Sequence, residues 1–246
     1  MKRLALIAIA SGLLAAGCSG SAEPGAAPVT TIGPQSVAAS PARTQAARTS
    51  RVALSFETIS ASGKVDMASV GVLDFGKREA DLTETYTFPG GAKTTDRKIL
   101  ASGYSYFSST AHPRFLRRNA TSAAGGLSFP GSSLEKLAGV SGAIATVGIE
   151  TVRGARTTHF RGTIDEAKYL AKASAETRAA IKRAGSTLVP LSQPFDAWID
   201  DQGRLRRLSQ HLTANNGDKI AETTEYYDFG VTVAIKAPRD YNKDKS

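Results

Sequence analysis

A single cysteine in 246 residues excludes an internal disulfide and any thiolate cluster around a metal. Histidine is nearly as scarce. His112, His159 and His211 are scattered along the chain, with no H-x-x-x-H spacing that would put two ligands on one helix face. No G-x-S-x-G turn presents a serine nucleophile. Gly90-Gly91 and Gly125-Gly126 lack the Lys-Ser/Thr that completes a phosphate-cradling loop. Asp200-Asp201 precede Gln202-Gly203, and a D-D-x-G stretch between two strands reads as a hairpin turn before it reads as a catalytic carboxylate pair. No catalytic residue, cofactor or metal is therefore expected, and the chain does not read as an enzyme. His159 lies in a strand-like run among basic residues, which places it at the surface. Long hydrophobic runs are missing too. The apolar stretch Leu4 to Ala16 is shorter than the ~18–20 residues needed to cross a bilayer, and polar sequence follows at once.

That short stretch has another use. Lys2 and Arg3 form a positive head, an apolar middle follows, and Gly17 and Cys18 close it, which is the layout of an export signal. Leu14 to Cys18 (LAAGC) resembles the lipobox of bacterial lipoproteins, with Ala15 where those proteins prefer Leu and Leu14 one position earlier. The resemblance implies a signal peptide over residues 1–17, cleavage before Cys18, and acyl chains (palmitate among them) on that cysteine. Each buried methylene contributes ~0.8 kcal/mol, and stable anchoring needs more than one chain. The expected location is the extracytoplasmic side of the cell membrane, held by lipid.

Residues 18–50 are rich in Ala, Pro, Ser, Thr and Gly and have no aromatic side chain or periodic apolar face. Such a composition predicts a flexible tether, with a root-mean-square span of ~30 Å. The formal net charge is +9 and stays basic once Lys2 and Arg3 are removed. An exported protein meets anionic headgroups and glycans rather than nucleic acid, and Arg114, Arg117, Arg118, Arg204, Arg206 and Arg207 are candidates for that contact.

Residues 51–246 suffice for one domain, and most of it reads as short alternating strands. The clearest group is Phe195 to Asp200, Arg204 to Thr213 and Lys219 to Phe229. Asp201-Gln202-Gly203 and Asn215-Asn216-Gly217 join them, a meander with an Asn-Gly hairpin signal. Two helices are expected. A long one runs from Glu166 to Arg183 with Asp165 as its cap, and a short one lies over Ser132 to Val140. The fold class is therefore α+β: a curled antiparallel sheet, a half-open β-barrel, covered on one face by helices and following the disordered tether.

The segments Gly154 to Asp165, Pro194 to Arg207 and Tyr226 to Pro238 make this chain similar to actinobacterial lipoproteins of the LppX/LprG type, relatives of the LolA/LolB carriers. The resemblance implies an apolar cavity between sheet and helices that carries an acylated lipid or glycolipid across the cell envelope, with a membrane transporter as a further partner. From the layers that should face one another, the expected cavity residues are Val70, Val72, Tyr104, Tyr106, Phe107, Leu134, Leu137, Leu170, Ile181 and Trp198. The alternative is an envelope sensor or interaction lipoprotein of the same fold that transports nothing.

Overall fold

The computed structural model describes residues 32–119, 129–184 and 192–243. Cys18, the signal peptide and the start of the tether lie outside the described residues. The described chain opens with helix α1 (Gln35–Ala46). Six strands follow: β1 (Thr49–Ser60), β2 (Gly63–Asp74), β3 (Glu79–Thr87), β4 (Lys93–Ala101), β5 (Tyr104–Ser109) and β6 (Phe115–Asn119). After a single helical turn, α2 (Ser133–Lys136), come β7 (Val140–Val152) and β8 (Ala155–Asp165). Two helices, α3 (Glu166–Lys172) and α4 (Ala175–Ala184), precede β9 (Ser192–Asp200), β10 (Leu205–Thr213), β11 (Lys219–Tyr227) and the short β12 (Tyr241–Lys243).

The strands form one curled, open sheet in the order β12-β6-β5-β4-β3-β2-β1-β11-β10-β9-β8-β7. Neighbours are antiparallel except β12, which lies parallel to β6. Hairpins build each half, and the long-range β1–β11 pairing, with Val52 opposite Tyr226, joins the first half to the last meander. The sheet keeps two open edges, β12 and β7, and is not closed into a barrel.

Side chains alternate across a strand, so register assigns the faces. Val52, Leu54 and Phe56 of β1 lie opposite Gly71, Ser69 and Met67 of β2 and opposite Tyr226, Thr224 and Glu222 of β11. These point to the covered, inner face, where the main core gathers Val52, Leu73, Leu82, Phe160, Phe195 and Tyr226 around Leu134 and Leu137. The cover seats closely. A methyl added at Gly139, in the turn after α2, would come within 2.6 Å of Tyr169 Cβ and 2.8 Å of the Asp165 carbonyl oxygen. Only a glycine lets that turn lie against α3. A smaller cluster, Ile99, Ala101 and Tyr106, sits on the outer face under Ile235, Ala237 and Tyr241 of the C-terminal segment.

Three sequence expectations need correction. The tether was expected to run to residue 50, but Gln35–Ala46 is a helix and belongs to the folded unit. Its buried stripe is Val37, Ser40 and Thr44, one apolar residue and two hydroxyls at helical spacing, which leaves no hydrophobic signal to read. The Thr44 hydroxyl does the anchoring. Thr44 Oγ1 donates to the Ser40 carbonyl (2.8 Å) and accepts from the Leu205 amide (2.9 Å), fastening α1 to the start of β10. The folded domain therefore starts before residue 51. Second, the single helix expected over Glu166–Arg183 is broken at Ala173, whose backbone is extended (φ −63°, ψ 154°). Ser174 restarts it, its Oγ accepting from the Thr177 amide at 3.2 Å. The expected Asp165 cap is present, accepting from the Lys168 amide at 2.9 Å. Third, most of the arginines set aside for headgroups are engaged within the chain, as described below.

Candidate functional site

A cavity of about 240 Å³ lies between the inner face of the sheet and its cover. Leu54 and Phe56 (β1), Met67 (β2) and Leu82 (β3) supply its floor, while Phe129, Pro130, Tyr169, Thr177 and Ile181 close it from the other side. The cover is tied down at Pro130–Ser133. Tyr226, fully buried, donates from its hydroxyl to the Pro130 carbonyl (3.1 Å) and shares a 2.5 Å hydrogen bond with Ser133 Oγ. Burial pushes the Tyr226 phenol far up, so it stays a neutral hydroxyl.

The walls are not uniformly apolar. Ser69, Glu84, Lys98, Lys136, Gln193 and Glu222 also line the cavity. Lys136 Nζ donates to Glu222 Oε2 at 2.6 Å and to Gln210 Oε1 at 2.9 Å. Tyr86 donates its hydroxyl to Glu84 at 3.0 Å, and desolvation, followed by the Glu84 charge, raises that phenol well above its ordinary range. Lys98, 1% exposed, holds its ammonium 5.6 Å from the Phe107 ring centroid. Gln210 Nε2 donates to Gln193 Oε1 at 3.3 Å. No histidine lines the cavity, and among the described residues no group of His, Cys, Asp and Glu is placed to hold a metal ion.

The structure scatters the residues that sequence reasoning assigned to the pocket. Ile181 is the one that lines this cavity. Leu134 and Leu137 are fully buried in the core, Leu170 is half-buried on α3, and Phe107 lines a more open hollow of about 620 Å³ beside β5 and β6. Val70, Val72, Tyr104, Tyr106 and Trp198 belong to the outer face. Val70 is 52% exposed, and Tyr106 is buried there by Tyr241, ring centroids 5.4 Å apart. Sequence reasoning missed Leu54, Phe56, Met67 and Leu82 as pocket residues. Strand alternation marks them as sharing a face without saying which face is covered.

Trp198 belongs to a polar cluster on that outer face. His159 is buried rather than at the surface, stacked on the indole at 4.2 Å. Its Nδ1 lies 2.7 Å from Glu150 and its Nε2 2.7 Å from Asp196. Trp198 Nε1 donates to Glu150 (2.7 Å), and Arg207 covers the indole while donating to Glu225 (2.8 Å). Arg153 also donates to Glu225, at 2.7 Å. The remaining headgroup candidates are similarly occupied. Arg114 pairs with Asp240, Arg117 bonds the Tyr241 hydroxyl and stacks on Tyr104, and Arg204 and Arg206 both bind Asp200. Arg118 lies 5.9 Å from the Phe107 ring centroid.

The cluster has a pH signature. The Trp198 hydrogen bond, and then His159, hold the Glu150 carboxyl below its ordinary value. Burial alone would raise Glu225, but the hydrogen bonds from Arg207 and Arg153 outweigh it and lower that carboxyl too. Both groups therefore bind protons more weakly folded than unfolded. The stability they contribute is present above the ordinary carboxylate pKa and is lost as pH falls through their depressed folded values. Thermal melts should show Tm falling between about pH 5 and pH 3, with a shallower fall in the Glu150→Gln, Glu225→Gln double variant. An unchanged pH profile in that variant would remove these two carboxylates as the cause.

No family model matches the chain. Its folded part is similar to LprF from Mycobacterium bovis at 14% identity, covering 83% of this chain and 95% of LprF with a TM-score of 0.52. It is also similar to the lipoprotein LppX of Mycobacterium tuberculosis at 15% identity, over 83% of this chain and all of LppX (100%), with a TM-score of 0.47. An uncharacterised 31.2 kDa protein of Streptomyces griseus, from its rplA-rplJ intergenic region, is 34% identical over 101 residues, 40% of this chain and 33% of that one. The match thus spans a third of that relative's length. The likeness to LprF shows a shared fold, an open curled antiparallel sheet under helices.

Proposed function

We propose that this chain is an envelope lipoprotein, anchored through acyl groups on Cys18 on the extracytoplasmic side of the membrane, that takes an acylated lipid or glycolipid into the cavity between sheet and cover. The observation that carries the reading is the space itself. Apolar side chains from β1, β2 and β3 face Phe129, Tyr169 and Ile181 across it without filling it. Dense packing is the rule in protein interiors, and a void whose exposed wall is largely apolar suits a hydrocarbon occupant.

Size limits the occupant. At about 240 Å³ the cavity falls just below the ~300–1,000 Å³ of ordinary small-molecule sites, which suits part of one alkyl chain better than several. The mechanism is transfer by matched environments. A chain leaving the bilayer for an apolar cavity exchanges one hydrocarbon surrounding for another at little net cost, and no covalent chemistry takes place. Transfer to or from a membrane transporter is part of the same reading.

The test uses the full chain purified in mild detergent from a bacterial host that acylates it. Solvent extraction and native mass spectrometry should find co-purified acyl lipid. Met67→Trp and Ile181→Trp, which push an indole into the cavity from its two sides, should reduce that lipid by roughly tenfold or more while the protein still melts cooperatively. Wild-type protein free of lipid, or lipid undiminished in both variants, would end the carrier reading. Cys18→Ser should in parallel move the protein from the membrane fraction to the soluble one.

A further inference from the structure

The cavity carries more polar groups than a hydrocarbon chain can use, and their arrangement restricts what else the ligand must bring. Ser69 (1% exposed) and Gln193 (3% exposed) both line it. Ser69 Oγ and Gln193 Nε2 are buried with no hydrogen-bond partner among the described residues. The amide of Gln193 is oriented by Gln210, whose Nε2 donates to Gln193 Oε1. That leaves the Gln193 NH₂ as a pure donor, while Ser69 can donate or accept. A purely alkyl occupant would leave both buried groups unsatisfied, the outcome that interiors avoid.

Charge narrows the choice again. Among the described residues the ionisable groups on the walls, Tyr169 apart, are two lysines and two glutamates, Lys98, Lys136, Glu84 and Glu222. Lys136 and Glu222 are in direct contact at 2.6 Å. A carboxylate or phosphate placed beside this balanced set would be an uncompensated charge in a largely dry space. An uncharged acceptor has no such penalty.

We propose that the cavity reads uncharged, hydrogen-bond-accepting groups of its ligand, ester carbonyls or hydroxyls, at Ser69 and at Gln193, so that its ligands are neutral acyl esters rather than free fatty acids or bare hydrocarbon. The inference rests on the carrier reading and specifies its ligand class. Ser69 sits on β2 between Leu54 and Glu84 in the register, and Gln193 sits on β9 opposite Ile164. Each donor thus adjoins an apolar wall, where an ester linkage would meet its own alkyl chain.

The experiment is displacement of a fluorescent fatty-acyl probe from the delipidated full chain in detergent by three competitors of equal chain length: monododecanoylglycerol, dodecanoate and dodecane. Wild type should prefer the glycerol ester over both others by roughly tenfold or more, as sites built around polar groups reject analogues that leave them unpaired. In the Ser69→Ala, Gln193→Leu double variant that preference should shrink to within about threefold, with dodecane binding kept or improved. Equal affinity for the three competitors in wild type, a preference for dodecanoate, or an unchanged preference in the double variant overturns the inference and leaves the carrier standing. Failure of all three to bind wild type overturns both. The wild-type comparison holds whether or not the double variant folds.

Discussion

Tyr226→Ala should destabilise the protein by about 3–5 kcal/mol, the range for removing a fully buried aromatic side chain, whereas Tyr226→Phe should lose only about 1 kcal/mol. The residue stands near the C-terminal end of β11 with no exposed surface, opposite Val52 of β1. Its ring packs at 6.0 Å against Phe75, which in turn meets Phe129 edge-on at 6.4 Å. Truncation to alanine opens a hole where the two halves of the sheet meet, and it also cuts the strut to Pro130 and Ser133. Phenylalanine keeps the ring. It also leaves the Pro130 carbonyl satisfied, because Ser133 Oγ donates to it at 3.0 Å. Urea denaturation monitored by circular dichroism would separate the two variants. Equal losses in both, or a loss under about 1 kcal/mol for alanine, would show that the cover does not depend on this residue. The functional consequence follows from position, since Phe129, Pro130, Ser132 and Ser133 are walls of the cavity. On the proposed carrier function, a Phe variant that stays folded should retain co-purified lipid.

Asp200→Ala should destabilise by a similar amount, about 3–5 kcal/mol, because removing one partner of a buried ion pair strands the others. Asp200 is 1% exposed and holds the β9–β10 turn from inside. One oxygen accepts from the Gln202 and Arg204 amides at 3.1 and 2.9 Å. The other accepts from Arg204 and Arg206 side chains at 2.9 and 2.7 Å. Both guanidiniums are themselves mostly buried and lie over Phe229. Asp200→Asn keeps an acceptor for the backbone amides while surrendering the charge, so its loss should fall between wild type and alanine. Asp201, exposed one position later, should tolerate alanine within about 0.5 kcal/mol. If Asp200→Ala proves as mild as Asp201→Ala, the arginine network contributes nothing measurable.

These two sites also show how far the chain could be read before its fold was known. The D-D-x-G stretch is a turn, as its residue types require, and Gly203 and Gly217 take the positive φ values (76° and 90°) that turns of this kind demand. The meander β9-β10-β11 and the Asp165 cap were both legible. Each depends on residues within a few positions of one another. Helix α1 was not legible, because its attachment is a threonine hydroxyl bound to an amide 161 positions away, and no local pattern encodes that partner. His159 was misplaced for the same reason. Its sequence neighbours include Arg156 and Arg161, but its ring meets Glu150 and Asp196 from adjoining strands.

Local chemistry, then, determined the strand-and-turn rhythm, the sheet's hairpins and the helical interruptions, because turn preferences, caps and alternation act over a handful of residues. Tertiary structure alone decided which side of that sheet is the inside. Along β2 the eye goes to Val70 and Val72, yet the covered face is Met67, Ser69, Gly71 and Leu73. Alternation divides a strand into two faces of equal standing, and only the docking of α2, α3 and α4 on one of them makes it the wall of a cavity.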